Sequence, residues 1–473
     1  MAARLSRSAL RAASRHAIAV SGRTAFDPQL TPRNETVTVS GMKLAQFGLR
    51  RISALVILAG LAALAAAPAP GAQESQSVQI IPVDGEAGRY WTRWRGPSGQ
   101  GLVSGGSYPD QWSDKENILW KTPLTGEGNS SPIVWRDRIF LTNASLDGKR
   151  LSVLAFRASD GARLWESAAP EGRVEFTRDK NGHASATPVT DGERIYVSFG
   201  SRGLMAFSLE GKLEWRRDLG PIDNYWGTAG SPLLYKDRVI VYQDQSRDSF
   251  IAAFNARTGD PLWRTRRSAT VGWGTPVAIR AHGRDEIVVN GQNAVIAYDP
   301  TDGHELWRVN GTTVETIPTP VVAHGLIFSS SGRAGPTLAI RPGGEGDVTR
   351  THVEWSSPRG SPFVPSPIAY GDHLYMVNDM TSIVTSFEAA TGRSLWQSRL
   401  GAAQREGFSA SPVAVEGKVF FTNDEGETFV LRAGSTFDLV RVNRIGEPTL
   451  ASPALVGGRW YIRTTRHLLA IGK

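Results

Sequence analysis

Eight short segments concentrate the polar and aromatic side chains that could do chemistry. They are GEGNS (126–130), TRDKNGHASA (177–186), PIDNYWGTAG (221–230), SATVGWG (268–274), GTTVETIP (311–318), SPRGSPFVP (357–365), AQREGFSA (403–410) and GEPTLA (446–451). Between them they offer Lys180, Asn181, His183, Asn224, Trp226, Trp273, Glu315, Arg359, Arg405 and Glu406. Two indoles, cations, amides and carboxylates brought to one place suit a planar anion, a sugar or a peptide. Each also has a plainer explanation. Trp226 and Trp273 can fill space, His183 can be a solvated loop residue, and Arg359, Arg405 and Glu406 can be surface ions of little energetic weight. Glu315, in VETIP, stands out as a carboxylate with uncharged neighbours. Asp379 and Asp424, in VNDMT and TNDEGE, read as turn caps. Metal-ligand spacing, a serine nucleophile motif and a phosphate-cradling loop do not emerge. RAGPTLAIRPGGEG (333–346) reads as a loop, because no helix follows its glycines.

These segments converge only if the intervening elements form a ring, and the repeat argues that they do. A small residue followed by Pro and an apolar run recurs at Pro132, Pro188, Pro232, Pro276, Pro320, Pro367, Pro412 and Pro453. The spacings are 56, 44, 44, 44, 47, 45 and 41 residues, and the long first one holds the insertion 168–184. Each copy continues through a turn, an alternating run such as IFLTNA or VIVYQD, a run such as LAFRA or IAAFNA, a Gly turn, and a closing run bearing Trp. That makes four short strands per unit, with turn chemistry at each joint. Such a unit is a β-propeller blade. The expected fold is therefore all-β: an eight-bladed β-propeller over 117–473 with four-stranded antiparallel blades.

The closing positions are Trp120, Trp165, Trp215, Trp263, Trp307, Trp355 and Trp396, with Val440 expected in their place in TFDLVRV. NILWKTPL (117–124) precedes the first start, and the last copy has only three strands. The N-terminal strand should thus complete the C-terminal blade and close the ring. Repeated Trp, Gly and Pro are structural on this reading: a ring in each seam, a φ > 0 turn, and a strand start that needs no ladder donor.

Composition narrows the function classes. The chain has no cysteine, which excludes disulfides, thiolate metal sites, thioether-attached haem and a lipidated N-terminal cysteine. Of the net charge of +8, +7 lies in residues 1–72. The near-neutral remainder has no field for collecting phosphates, so nucleic acid is not an expected partner. Residues 42–72 carry Lys43, Arg50 and Arg51 before the apolar run 52–67 and small residues ending near Ala69 or Ala72, as in a secretory signal peptide. Cleavage there predicts a periplasmic or secreted protein without stable membrane insertion. Residues 1–41 read as an over-extended leader with Met42 as the start, and N-terminal sequencing of the precursor tests this. Residues 73–116 are expected to pack on the ring.

The motif Ala-x-Asp-x-x-Thr-Gly-x-x-x-Trp appears as AAFNARTGDPLW (252–263) and AYDPTDGHELW (297–307), and more loosely as SFEAATGRSLW (386–396) and AFRASDGARLW (155–165). It resembles the tryptophan-docking repeat of quinoprotein-type propellers. The opening WTRWRGPSGQG (91–101) looks like that of PQQ-binding-like β-propeller repeat proteins, many described as similar to BamB. The resemblance implies either an envelope scaffold without cofactor or a dehydrogenase that holds pyrroloquinoline quinone (PQQ) and calcium and oxidises alcohols or sugars. The missing cysteine pair, the missing haem attachment and the short loops depart from the enzyme pattern. The preferred expectation is a monomeric binding or scaffolding module meeting an envelope protein or small ligand at the ring's mouth. A quinoprotein dehydrogenase and a carbohydrate-binding propeller are the alternatives.

Overall fold

In the computed structural model, residues 78–473 are described, apart from positions 84, 179, 334, 359 and 406. The leader 1–72, Arg359 and Glu406 therefore lie outside the described residues. Eight sheets follow the repeat, each built on four antiparallel strands, and we number them as blades 1 to 8: 133–168, 189–217, 233–266, 277–310, 321–357, 368–399, 413–444 and 454–471. Each innermost strand starts just after its repeat proline, as Ile133 follows Pro132 and Leu233 follows Pro232. Blade 8 takes its outermost strand, Ile118–Pro123, from the N-terminal side of the ring. Ile118 faces Ile471 and Trp120 faces Ala470, so the ring closes as the split repeat requires.

The core lies between blades. Val189, Tyr196, Ala206 and Trp215 of blade 2 pack with Val239, Phe250 and Phe254 of blade 3, and equivalent wedges fill the other seams. The closing tryptophans bind the wedges with a hydrogen bond as well as area. Trp120, Trp165, Trp215, Trp263, Trp355 and Trp396 donate Nε1–H to backbone carbonyls of the following blade, at Ala158, Leu209, Ala256, Pro300, Ala389 and Gly434. Trp307 instead donates to Glu286 of its own blade at 2.8 Å. The repeat glycine of the following blade lies against the ring: a Cβ on Gly259 would stand 2.6 Å from Trp215.

A one-residue bulge precedes every closing position, and it corrects the sequence reading in blade 7. Trp165 pairs with Ala155 in blade 1, and the residue in the matching register of blade 7 is Arg441, opposite Val430. Val440 is the bulged residue. Arg441 donates to Gln111, and the buried Trp112 packs against Phe420 and Trp460 nearby.

The segment ahead of the ring covers the inner edges of the blades, whose N–H and C=O groups would otherwise lack partners. Gln79–Ile80 pairs with Val277–Ala281, Trp91 bridges to Val134, and Thr92 accepts from the Thr190 amide at 2.9 Å. Gln100 Oε1 accepts from the Val322 amide at 2.7 Å, and Leu102 bridges to Ala414.

Candidate ligand site

A cavity of about 210 Å³ opens where the innermost strands begin. Its girdle is built by the residue before each repeat proline, always Ser or Thr. The amide of Ser131 donates to Thr187 Oγ1 in the next blade at 2.9 Å. The pattern continues from Thr187 to Ser231 (3.0 Å), Ser231 to Thr275 (3.3 Å) and Thr275 to Thr319 (2.9 Å). It then runs from Thr319 to Ser366, Ser366 to Ser411 and Ser411 to Ser452, each at 2.9 Å. Seven of the eight junctions are tied this way. At the seam between blades 8 and 1, buried Arg463 donates to Ser130 Oγ at 2.8 Å and to the Thr142 carbonyl at 2.7 Å. Burial pushes its guanidinium down to about 9.

Above the girdle one wall is aromatic. Trp226 lies 5.0 Å from Trp273 and 5.6 Å from Phe363, centroid to centroid. Arg333 stacks on Phe363 at 4.5 Å and its Nε is 3.7 Å from Glu315 Oε2. Glu315 Oε1 accepts from the Tyr225 hydroxyl at 2.9 Å. Trp94 also lines the cavity, as do Arg178, Lys180 and Asn181 from the insertion 168–184. Lys180 forms an ion pair with Asp424, which also accepts from Ser409 Oγ at 3.0 Å. Asn181 Nδ2 donates to the Trp226 carbonyl at 2.6 Å.

Asp244, Asp379 and Asp424 each stand twelve residues after a repeat proline. Their surroundings differ. Asp244 is buried in a bidentate pair with Arg267 at 2.7 and 2.9 Å. Asp424 has Lys180, yet burial outweighs that cation and holds its carboxyl above the ordinary range. Asp379 is fully buried, accepts from the Phe363 amide at 2.7 Å, and has one oxygen without a partner among the described residues. Burial pushes it up to about 7. Turn capping, the sequence expectation for Asp379 and Asp424, does not describe them, since both reach into neighbouring loops.

The structure thus gathers Lys180, Asn181, Trp226 and Trp273 around the cavity, with Glu315 behind Arg333. Three other candidates that it describes, Asn224, His183 and Arg405, do not line it. Asn224 is buried, donating to the carbonyl of Asp244, which follows the second strand of blade 3, and accepting from the Trp226 amide of its own loop. His183 Nε2 is 3.0 Å from the Glu175 carbonyl oxygen, and its Nδ1 is 3.5 Å from Glu127. Arg405 is exposed and is not part of the lining. Sequence reasoning missed Trp94, Arg178, Arg333, Phe363 and the hydroxyl girdle. The girdle had a signal: every residue before a repeat proline carries a hydroxyl.

The family model described as outer membrane protein assembly factor BamB, a PQQ-repeat family, matches residues 111–217, 149–398 and 380–471. The chain belongs to this family. A curated relative of this PQQ-repeat propeller is outer membrane protein assembly factor BamB of Burkholderia pseudomallei, 26% identical over 55% of this chain and 63% of that one. Tetrathionate hydrolase of Acidithiobacillus ferrooxidans is 21% identical over 68% of this chain and 54% of that one. The chain thus spans less than two thirds of either relative. Quinohemoprotein alcohol dehydrogenase of Comamonas testosteroni has the same fold, with a TM-score of 0.56, 12% identity and 81% of each chain covered.

PQQ with calcium would need both a planar anion site and a cluster of oxygen ligands. The aromatic and cationic lining suits a planar anion. Calcium needs several carboxylate or amide oxygens beside it, and no carboxylate is among the described lining residues. Asp424, Asp379 and Glu315, just behind, already serve Lys180, the Phe363 amide and Tyr225. The acidic group Asp299, Asp302 and His304 sits on the hairpin before the outermost strand of blade 4, and none of the three lines the cavity. The residues do not fit a calcium-assisted quinone centre.

Proposed function

We propose that this PQQ-repeat propeller is a binding module of the cell envelope that holds a small ligand in its axial cavity and performs no redox chemistry of its own. The cavity carries the reading: it joins an aromatic wall, three cationic side chains and a ring of hydroxyls on the propeller axis. Support for the compartment comes from the signal-like segment 42–72 and from a family described by an outer-membrane assembly factor. A protein partner at the same mouth fits the exposed Phe176, Tyr225 and Val314 on its loops.

Calorimetric titration of the purified protein with inorganic anions, neutral sugars and PQQ plus calcium tests it, with dye reduction by alcohols and aldoses measured in parallel. One ligand class should bind without turnover, and Trp226→Ala should weaken it by ~1–3 kcal/mol. Dye reduction dependent on PQQ would overturn the reading in favour of a dehydrogenase.

A further inference from the structure

The hydroxyl girdle has hydrogen atoms with nowhere to go inside the protein. Each of seven girdle oxygens accepts a backbone N–H from the preceding blade. Among the described residues, none of the eight girdle hydroxyls donates to a protein acceptor. All but Ser366 line the cavity, and most are almost completely buried, Thr187 and Thr319 at 2% exposure. A hydroxyl whose oxygen already accepts is polarised to donate, and an unplaced buried donor costs free energy unless a ligand or water takes it.

A second buried group points the same way. Arg95 is 1% exposed and reaches the carbonyls of Pro367 and Pro412, the residues that follow girdle members Ser366 and Ser411. Among the described residues, its Nε and Nη1 have no hydrogen-bond partner and no carboxylate neutralises it. A buried uncompensated cation beside a ring of donors sets a positive potential on the axis.

We infer that the floor of the cavity is an anion site, in which girdle hydroxyls donate to a small acceptor-only oxyanion. This deepens the proposed function and rests on it, because it assigns the ligand class and the atoms that grip it. The lining itself presents Arg178, Lys180 and Arg333, while the carboxylates paired with the last two, Asp424 and Glu315, are not among its described residues, so a ligand there meets donors first.

The experiment titrates inorganic sulfate into the full-length protein by calorimetry at constant ionic strength, with phosphate and chloride alongside. The variants are Thr275→Val, which removes a donor whose hydroxyl accepts the longest bond of the girdle, and Thr275→Ser, which keeps it. One anion per chain is expected. Thr275→Val should weaken binding about tenfold, as loss of one hydrogen bond to a charge does, while Thr275→Ser restores it. Thermal melting of both variants without anion separates a folding defect from a binding one. Equal binding by the wild type and Thr275→Val would overturn the inference and move the anion to the rim at Arg333. Sulfate, phosphate and chloride all failing to bind would also overturn it. If a neutral ligand then still bound through Trp226, the proposed function would stand; if no ligand class bound, that reading would fall as well.

Discussion

Lys180 reaches Asp424 over a sequence separation of 244 residues, tying the insertion after blade 1 to the loop that follows the second strand of blade 7. The same stretch is held by Asn129, which donates to the Lys180 carbonyl at 2.6 Å, and by Asn181 on the Trp226 carbonyl. The insertion is thereby a crosspiece over the cavity, fastened to three separate loops.

Breaking that fastening should loosen the crosspiece. Lys180→Ala leaves Asp424 poorly solvated without its cation, costing ~1–2 kcal/mol after allowance for the partial exposure of Lys180. Asp424→Asn should cost less, because no charge is stranded. Urea unfolding gives the energies, and amide hydrogen exchange of residues 173–183 should speed up in both variants. Unchanged exchange would show that the pair fastens nothing.

Glycine substitutions should separate backbone strain from seam packing. Gly283 has φ +76° and open space where a Cβ would go, so Gly283→Ala should cost ~1–2 kcal/mol from the left-handed backbone alone. Gly259 has φ +72° and the Trp215 ring 2.6 Å from an added Cβ, so Gly259→Ala should lose several kcal/mol, about as much as Trp215→Ala at ~3–5. Similar melting temperatures for the two glycine variants would refute the seam account.

Asp379 should make stability pH-dependent. Its carboxyl titrates at about 7 when folded against the ordinary 3.8, so the folded state holds the proton more tightly. Its stabilising effect is full below pH 4 and is lost as pH rises through 7. At about 1.4 kcal/mol per pKa unit, the window is worth on the order of 4 kcal/mol. Asp379→Asn, which keeps an acceptor for the Phe363 amide, should match the wild type near pH 4 and exceed it near pH 8. Denaturation at a series of pH values checks the sign; a constant difference would rule out this titration.

The two mouth tryptophans should respond differently to truncation. Trp273 is 4% exposed and donates to the Gly227 carbonyl at 2.9 Å, so Trp273→Ala should cost ~3–5 kcal/mol of stability. Trp226 is only half-buried, so Trp226→Ala should cost far less and act mainly on ligand binding. Chemical denaturation of both variants, beside ligand titration, distinguishes filler from contact.

Fold and ring closure were legible in the chain because both are local rules repeated. Strand alternation, a proline before each inner strand, a glycine turn and a Trp run recur within each unit, and the leftover strand at 117–124 leaves one place to pair, opposite His467–Ile471. The Val440 assignment slipped to Arg441 because a bulge adds one residue to the strand without leaving a mark in the hydrophobic pattern. The site was legible only in part. Trp226, Trp273 and Asn181 lie on loops that the repeat already aims at the axis. Whether Asn224 faces the cavity or the Asp244 loop, and whether Arg333 and Trp94 arrive there at all, depends on the paths of irregular segments and on contacts between residues far apart in sequence. Periodicity carries no information about such paths; packing around the closed ring determines them.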